Sequence, residues 1–237
     1  MRWPSLHCPV AAGLLVLLAG CGKPADESQE SYAPTIDPAH FVARVDNEFF
    51  PLIPGTRYVY ATLDGNERVD VYVTEQTKEI LGVTCTVVRS REFENGELAE
   101  ETADWYAQDV DGNVWYFGED TKEYKGGAVV SVAGSWQAGR GGAQPGIIMR
   151  GAPRVGDCYR QEYLAGVAED MGEVLSLEES ATVPYGSFAN VLKTKEWTPL
   201  EPGDVEHGYY ARGVGLILEV EGDERLELVS VEEDEMN

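Results

Sequence analysis

The feature that most constrains this chain is a strand–turn–strand pattern that occurs twice. In Asp104-Trp-Tyr-Ala-Gln-Asp-Val-Asp-Gly-Asn-Val-Trp-Tyr-Phe-Gly-Glu119, aromatic and β-branched residues flank Asp111-Gly112-Asn113. Such residues favour extended backbone, and Asp-Gly favours the tight turn between two strands. A weaker copy follows as Tyr209-Tyr-Ala-Arg-Gly-Val-Gly-Leu-Ile-Leu-Glu-Val220. Upstream of it, residues 186–197 align without a gap to residues 82–93 at an offset of 104. Gly186 then meets Gly82, Val191 meets Val87, Lys195 meets Arg91, Glu196 meets Glu92 and Trp197 meets Phe93. One unbroken register over that length points to internal duplication. Convergent strand composition is the alternative.

The remaining segments read the same way. Val69, Val71 and Val73 alternate on one face of a half-buried strand. Asn95-Gly96 and Lys125-Gly126-Gly127 mark hairpin bends, and residues 224–231 alternate again. No long amphipathic helix pattern occurs. A short helical turn is conceivable only at residues 168–172. These segments predict a mainly β fold, a curved antiparallel sheet or incomplete barrel made of two similar meander halves. The first half spans 36–133 and the second 150–233, with a Gly/Pro-rich linker at 134–149 and a tail at 234–237. A single shared assembly is preferred to two small domains, because it hides sheet edges that otherwise invite intermolecular pairing.

The N-terminus carries a different message. Arg2 precedes an apolar run from Val10 to Ala19, which ends in Leu18-Ala19-Gly20-Cys21. Small residues directly before a cysteine, after a short apolar run, resemble the lipobox of bacterial lipoproteins. The resemblance implies that residues 1–20 are a signal peptide and that Cys21 is acylated. An ordinary secretory signal is the alternative. The run is shorter than the roughly 20 residues of a spanning helix. Acyl chains contribute about 0.8 kcal/mol per buried methylene, so several anchor durably. Gly22 follows the cysteine without an acidic retention-like residue, which in a two-membrane cell resembles sorting to the outer membrane, facing the periplasm. Residues 21–35 form a polar, acidic tether.

The full chain carries a formal charge of −24, and losing Arg2 makes it −25. That excess disfavours nucleic acid and anionic lipid surfaces. It suits a solvated surface, a cationic partner or divalent cations. Of four cysteines, Cys85 and Cys158 remain once the signal peptide is removed and Cys21 is acylated. Export permits their oxidation, so a Cys85–Cys158 disulfide is expected, with two buried thiols as the alternative.

Lipobox, acidic tether and repeated Tyr/Gly meander together resemble uncharacterised bacterial envelope proteins. Val183-Pro-Tyr-Gly-Ser-Phe-Ala-Asn-Val-Leu192, followed by Tyr209-Tyr210-Ala211 and Gly213-Val-Gly-Leu216, is similar to a recurring element of their β-rich domains. Those domains distantly resemble the lipoprotein-carrier fold of LolA and LolB. The resemblance implies a curved sheet. No lipid-contact motif of the carriers is present.

Candidate chemistry is sparse. Asp109, Asp111 and Asn113 offer oxygen ligands for calcium, but the EF-hand order is absent and a hairpin turn explains them. No other cofactor is expected. His40 and His207 are too few for a zinc site. Ser187 lacks a nucleophile-elbow context. Paired carboxylates for glycoside chemistry cannot be picked from 42 acidic residues. Trp105, Trp115 and Tyr209 are ligand-contact candidates, because aromatics supply large contact areas; core packing is their alternative role. The expected function is an anchored, non-enzymatic envelope protein that binds a small amphipathic ligand or an envelope protein. A structural interaction module and a hydrolase are the other readings. Replacing Cys21 (Cys21→Ala) is expected to release the folded protein from membranes; fractionation showing unchanged attachment contradicts this.

Overall fold

The computed structural model describes residues 32–233. The signal peptide, Cys21, most of the 21–35 tether and the 234–237 tail lie outside the described residues. Asp37 caps a 3-10 turn, Pro38–His40, accepting from the Ala39 amide at 3.0 Å. Then come β1 (Phe41–Val42) and a hairpin of β2 (Val45–Asn47) and β3 (Phe50–Leu52). Five long strands follow: β4 (Thr56–Thr62), β5 (Glu67–Ile80), β6 (Val83–Glu94), β7 (Glu97–Asp109) and β8 (Val114–Lys125). Three shorter ones come next: β9 (Ala128–Ser131), β10 (Trp136–Gln137) and β11 (Gln144–Met149). The second half supplies β12 (Cys158–Arg160), β13 (Glu162–Tyr163), β14 (Met171–Val183), β15 (Gly186–Trp197), β16 (Glu206–Ala211), β17 (Gly215–Glu221) and β18 (Glu224–Glu233).

One antiparallel sheet runs through both halves. Its order is β12-β14-β15-β16-β17-β18-β4-β5-β6-β7-β8-β11-β13. The two ends of that order, β12 and β13, are separated in sequence by Gln161 alone. Residues 158–160 pair with β14, and residues 162–163 pair with β11. The sheet therefore curls into an almost closed barrel whose seam is the partner switch at Gln161. Closure satisfies backbone groups that would be exposed at two edges. At the seam the chains approach very closely: a Cβ on Gly146 would lie 2.3 Å from the carbonyl carbon and oxygen of Gln161. The 134–149 stretch, expected as a linker, instead supplies β10 and β11. Of its glycines, Gly146 marks this close approach, while Gly134, Gly139, Gly141 and Gly142 sit at positive φ in the turns between these short strands.

Apolar side chains fill the barrel toward one end and also cover part of its outside. Within, the β2–β3 hairpin plugs the end formed by the β7–β8 and β16–β17 turns. Phe49 and Phe50 are buried, and Phe50 meets Tyr106 edge-on at 5.4 Å. Asn47 fixes the plug: its amide donates to the carbonyls of Gly112 and Arg150 at 2.8 and 3.0 Å. Its Oδ1 accepts from the Phe49 and Phe50 amides. Outside, Phe41 packs edge-on against Trp115 and Phe117, and the Lys78 ammonium sits 3.0 Å from the Trp105 ring centre.

The cysteines depart from expectation. Both are free; Cys85 is buried on β6 and Cys158 is exposed on β12. Strands β7, β8 and β11 stand between them around the sheet. At about 4.8 Å per strand spacing, that exceeds the roughly 7 Å Cα limit for a disulfide.

The seam yields a steric prediction. A Gly146→Ala variant is expected to lose about 3 kcal/mol or more of stability, since backbone has to move. Gly186→Ala, whose Cβ would meet the Phe188 ring at an ordinary 3.5 Å, is the control. Equal denaturation midpoints for the two variants would contradict the seam.

Candidate functional site

The end of the barrel opposite the plug is lined by acids, and strand register shows why. In an antiparallel pair, opposed residues point to the same face. Val69, Val71 and Val73 face Glu92, Ser90 and Val88, which in turn face Glu100, Thr102 and Asp104. The valines and Val88 form the apolar depth of the lumen; the acids lie on the same face, and Glu92 and Glu100 lie toward the mouth. In the second half Glu196 lies opposite Glu206, and Glu219 opposite Gly208.

Two bulges complete the lining. On β7–β8 the register runs Asp104↔Glu119 and then Tyr106↔Tyr116, an extra residue on β8. Tyr116 and Glu119, three apart, therefore share the lumen face. Gly118 permits this with φ +126, and a Cβ there would lie 2.3 Å from the Trp136 carbonyl oxygen. On β16–β17 the corresponding slip puts Leu216 opposite Tyr210 and Glu219 opposite Gly208.

Some lumen groups bond to one another. Tyr116 donates to Asp104 at 2.7 Å, Thr121 to Glu119 at 3.1 Å, and the Trp136 indole to Glu162 at 2.9 Å. Thr194, Tyr210 and Gln161 all donate to Glu196. Others have no hydrogen-bond partner among the described residues: Glu67 Oε2, Glu92 Oε2 and the hydroxyls of Tyr106 and Tyr159. Glu67 is 7% exposed, Glu92 5% and Tyr106 0%. An open cleft of about 590 Å³, bordered by Glu92, Glu94, Glu97, Glu100 and Glu123, leads to this mouth.

The electrostatics reach across the barrel. Burial, then Glu67 and Glu100, push Glu92 up to about 8. Burial, then Glu224 and Glu94, push Glu67 up to about 7. Burial raises Glu219 well above the usual carboxylate range, reinforced by Glu206, Glu196 and Glu67. The Tyr106 phenol on β7 is raised by burial and then by Asp104, Glu119, Glu162 and Glu196. Asp104 and Glu119 are both raised, chiefly by burial; the Asp104 charge raises Glu119 further, and Glu100 raises both.

The expected ligand contacts are placed elsewhere. Trp105 lies on the outer face, opposite Val87 and under Lys78. Trp115 packs on Phe41 and donates its indole N–H to Asp109 at 2.8 Å. Tyr209 faces outward beside Lys193. Their sequence neighbours Tyr106, Tyr116 and Tyr210 face the lumen instead. Asp109 is occupied within its turn: it accepts from the amides of Asp111 and Asn113 and from the Asn113 side chain. Asn113 Oδ1 accepts from Gly151. No group of three or more His, Cys, Asp or Glu suited to a metal ion occurs among the described residues. The lumen acids went unselected in the sequence, although the match of Glu196 to Glu92 was a signal of them.

No family model matches this chain, and no curated protein matches it. Among solved structures it is similar to a protein described as exported, with a YmcC-like fold, from Bacteroides fragilis. That likeness has 16% identity and a TM-score of 0.46, and covers 78% of this chain and 99% of the other. It is also similar to a protein described as a lipoprotein from Parabacteroides distasonis, at 12% identity and a TM-score of 0.41, over 78% and 98% of the two chains. Neither likeness assigns a ligand or an activity.

The raised carboxyls set a pH dependence. An unfolded Glu ionises near 4.5, whereas folded Glu92 holds its proton to about 8 and Glu67 to about 7. Between those values the folded chain binds more protons, so its stability falls as pH rises. The thermal midpoint of the purified chain is expected to drop from pH 5 to pH 9, through a loss of a few kcal/mol. Glu92→Gln is expected to raise it at pH 8–9. A midpoint that is flat or climbs over that range would refute the buried acids.

Proposed function

We propose that this protein is a lipid-anchored, non-enzymatic binding protein of the cell envelope whose small ligand enters the barrel at its acidic end. The observation that carries the reading is the convergence on the open end of the buried acids Glu67 and Glu92, each with an oxygen that has no hydrogen-bond partner among the described residues, while Phe49 and Phe50 plug the other. Concave sites with few polar groups set in an apolar wall are the usual form of small-molecule pockets. The anchor at Cys21 and the outer-membrane, periplasm-facing placement rest on the lipobox resemblance and on Gly22. The apolar recess beside the plug, bordered by Phe50, Leu52, Tyr58, Tyr60, Val73 and Leu216, holds only about 30 Å³, too little for a hydrocarbon segment, so the lipoprotein-carrier resemblance adds no ligand contact to this reading.

The two halves, in this reading, descend from one six-strand unit. Gly55 donates to Val73 O and Gly156 to Val174 O, both at 2.8 Å, in matching turns. The bulges that set Glu119 and Glu219 are matched as well. Glu92 opposite Glu100 parallels Glu196 opposite Glu206. Duplication thus explains why both walls of the lumen are acidic.

A hydrolase is favoured by one observation. Glu119 keeps its proton beside Asp104, as a general acid requires. A turnover abolished by Glu119→Gln and Asp104→Asn separates that reading from binding.

The test uses the purified full chain in non-ionic detergent and the dialysable fraction of an envelope extract. That fraction is expected to raise the thermal midpoint and change Trp136 fluorescence. Glu100→Lys, which tethers an ammonium at the mouth, is expected to remove both responses. No response in either protein overturns the binding reading.

A further inference from the structure

At the open mouth three acids stand in a row across three strands. Glu92 on β6 lies opposite Glu100 on β7, and Glu100 lies opposite Glu123 on β8. Opposed residues share a face, and like charges directly opposed are destabilising. The next pair toward the hairpin tip, Glu94 and Glu97, is acidic too. All five border the open cleft of about 590 Å³. Lys125 is the one cation on that border among the described residues, and it is exposed at the end of β8.

Glu92 sets this row apart from a solvated acidic face. It is only 5% exposed, and its Oε2 has no hydrogen-bond partner among the described residues. The nearby arginine Arg91 pairs with Glu101 instead. An unpartnered buried acceptor costs free energy that an incoming donor returns. Below the row, Ser90, Thr102 and Thr121 lie opposite one another as a buried layer of hydroxyls. Thr102 donates to Glu100 at 3.0 Å and lies 3.1 Å from the Thr121 hydroxyl, and Thr121 donates to Glu119 at 3.1 Å. That layer floors the site, so a donor for Glu92 has to come from the cleft.

The arrangement of the acids selects the kind of cation. A compact divalent ion needs several oxygens converging on one point. No such group occurs among the described residues. Carboxylates carried one strand apart, about 4.8 Å, suit a cation with donors on separate edges. Guanidinium is planar and presents five N–H groups, in forks that match carboxylates bidentately. It is also more weakly hydrated than an ammonium, so it loses less on reaching an acid as buried as Glu92.

We propose that the cleft at the mouth binds a guanidinium-bearing ligand, whose planar cation bridges Glu92 and Glu100 while the rest of the ligand lies in the cleft beside Glu94, Glu97 and Glu123. This rests on the binding reading above and names its ligand class. The cation competes with a proton, because burial, then Glu67, Glu100 and Glu94, keep Glu92 protonated up to about 8. Guanidinium stays charged across that range. Below pH 8 its binding therefore displaces a proton from Glu92 to the buffer, and affinity climbs as pH rises.

The decisive experiment is isothermal titration of the full chain, in non-ionic detergent, with Nα-acetylarginine amide, which carries one guanidinium and no free amine. Nα-acetyllysine amide at matched ionic strength is the comparison. Saturable uptake of the arginine probe is expected at pH 8, tighter than that of the lysine probe by about fivefold or more. At pH 6.5 it is expected to be weaker by on the order of tenfold. Glu92→Gln and Glu100→Gln are each expected to weaken it about tenfold at pH 8, and Glu92→Gln to flatten the pH dependence. Glu75→Gln, at an exposed position on β5, is expected to change nothing. Because Gln is close to isosteric with Glu and removes buried charge, these variants are expected to fold; their thermal midpoints check it. Uptake that fails to saturate, that the lysine probe equals, or that Glu92→Gln and Glu100→Gln leave intact overturns the proposal. If the arginine probe has no effect while the dialysable envelope fraction still shifts the wild-type midpoint, the ligand class is wrong and the binding reading stands. If both are silent, both fall.

Discussion

The placement of every lumen side chain depends on one short stretch, residues 158–163, that hydrogen-bonds to both free edges of the sheet. Cys158–Arg160 takes β14 as partner and Glu162–Tyr163 takes β11. Closure converts an alternating sheet into an inside and an outside, and period-two alternation then assigns each residue to one of them. Gly146 allows the two chains to touch at the seam, and Gly172 makes room for the Tyr159 ring. A sheet left open at Gln161 would expose two edges and merge the lumen with solvent. The buried carboxyls would then lose the desolvation that raises them.

The interior divides by depth. The plugged end is held by conventional forces, aromatic burial and the amide network of Asn47 and Gln108. The open end holds the opposite: acids that repel, two of which, Glu67 and Glu92, have a buried oxygen with no hydrogen-bond partner among the described residues. Such an arrangement is costly unless protons or cations attend it. Folded proteins tolerate local violations of this kind chiefly where function requires them. The contrast between the two ends is the physical basis for assigning the ligand to the acidic one.

Much of the architecture was legible in the sequence. Alternation at Val69, Val71 and Val73 and the turns at Asn95-Gly96 and Asp111-Gly112 gave the long strands, because those signals are local. The fold class, mainly antiparallel and nearly closed, followed from counting such strands. The site was not legible, for a reason that concerns parity. Trp105-Tyr106, Trp115-Tyr116 and Tyr209-Tyr210 each place one ring inside and one outside, and the pair alone does not say which. The bulge at Gly118 then breaks the alternation, so that Tyr116 and Glu119 share a face that strict period two would deny them. The seam was hidden as well. In residues 134–149 four glycines serve turns at positive φ and only Gly146 serves a close strand approach, and composition alone does not tell the two apart. The Cys85–Cys158 pairing failed because sequence separation carries no information on position around a barrel.

The most direct measurement is of the carboxyl groups themselves. Carbon-13 NMR of the side-chain carboxyls of Glu-labelled protein across pH, assigned with Glu67→Gln and Glu92→Gln, reads each titration separately. Burial at the barrel mouth predicts midpoints near 7 for Glu67 and near 8 for Glu92, well above the ordinary 4.5. If both titrate with the surface glutamates near 4.5, those acids are solvated and the closed acidic lumen does not exist.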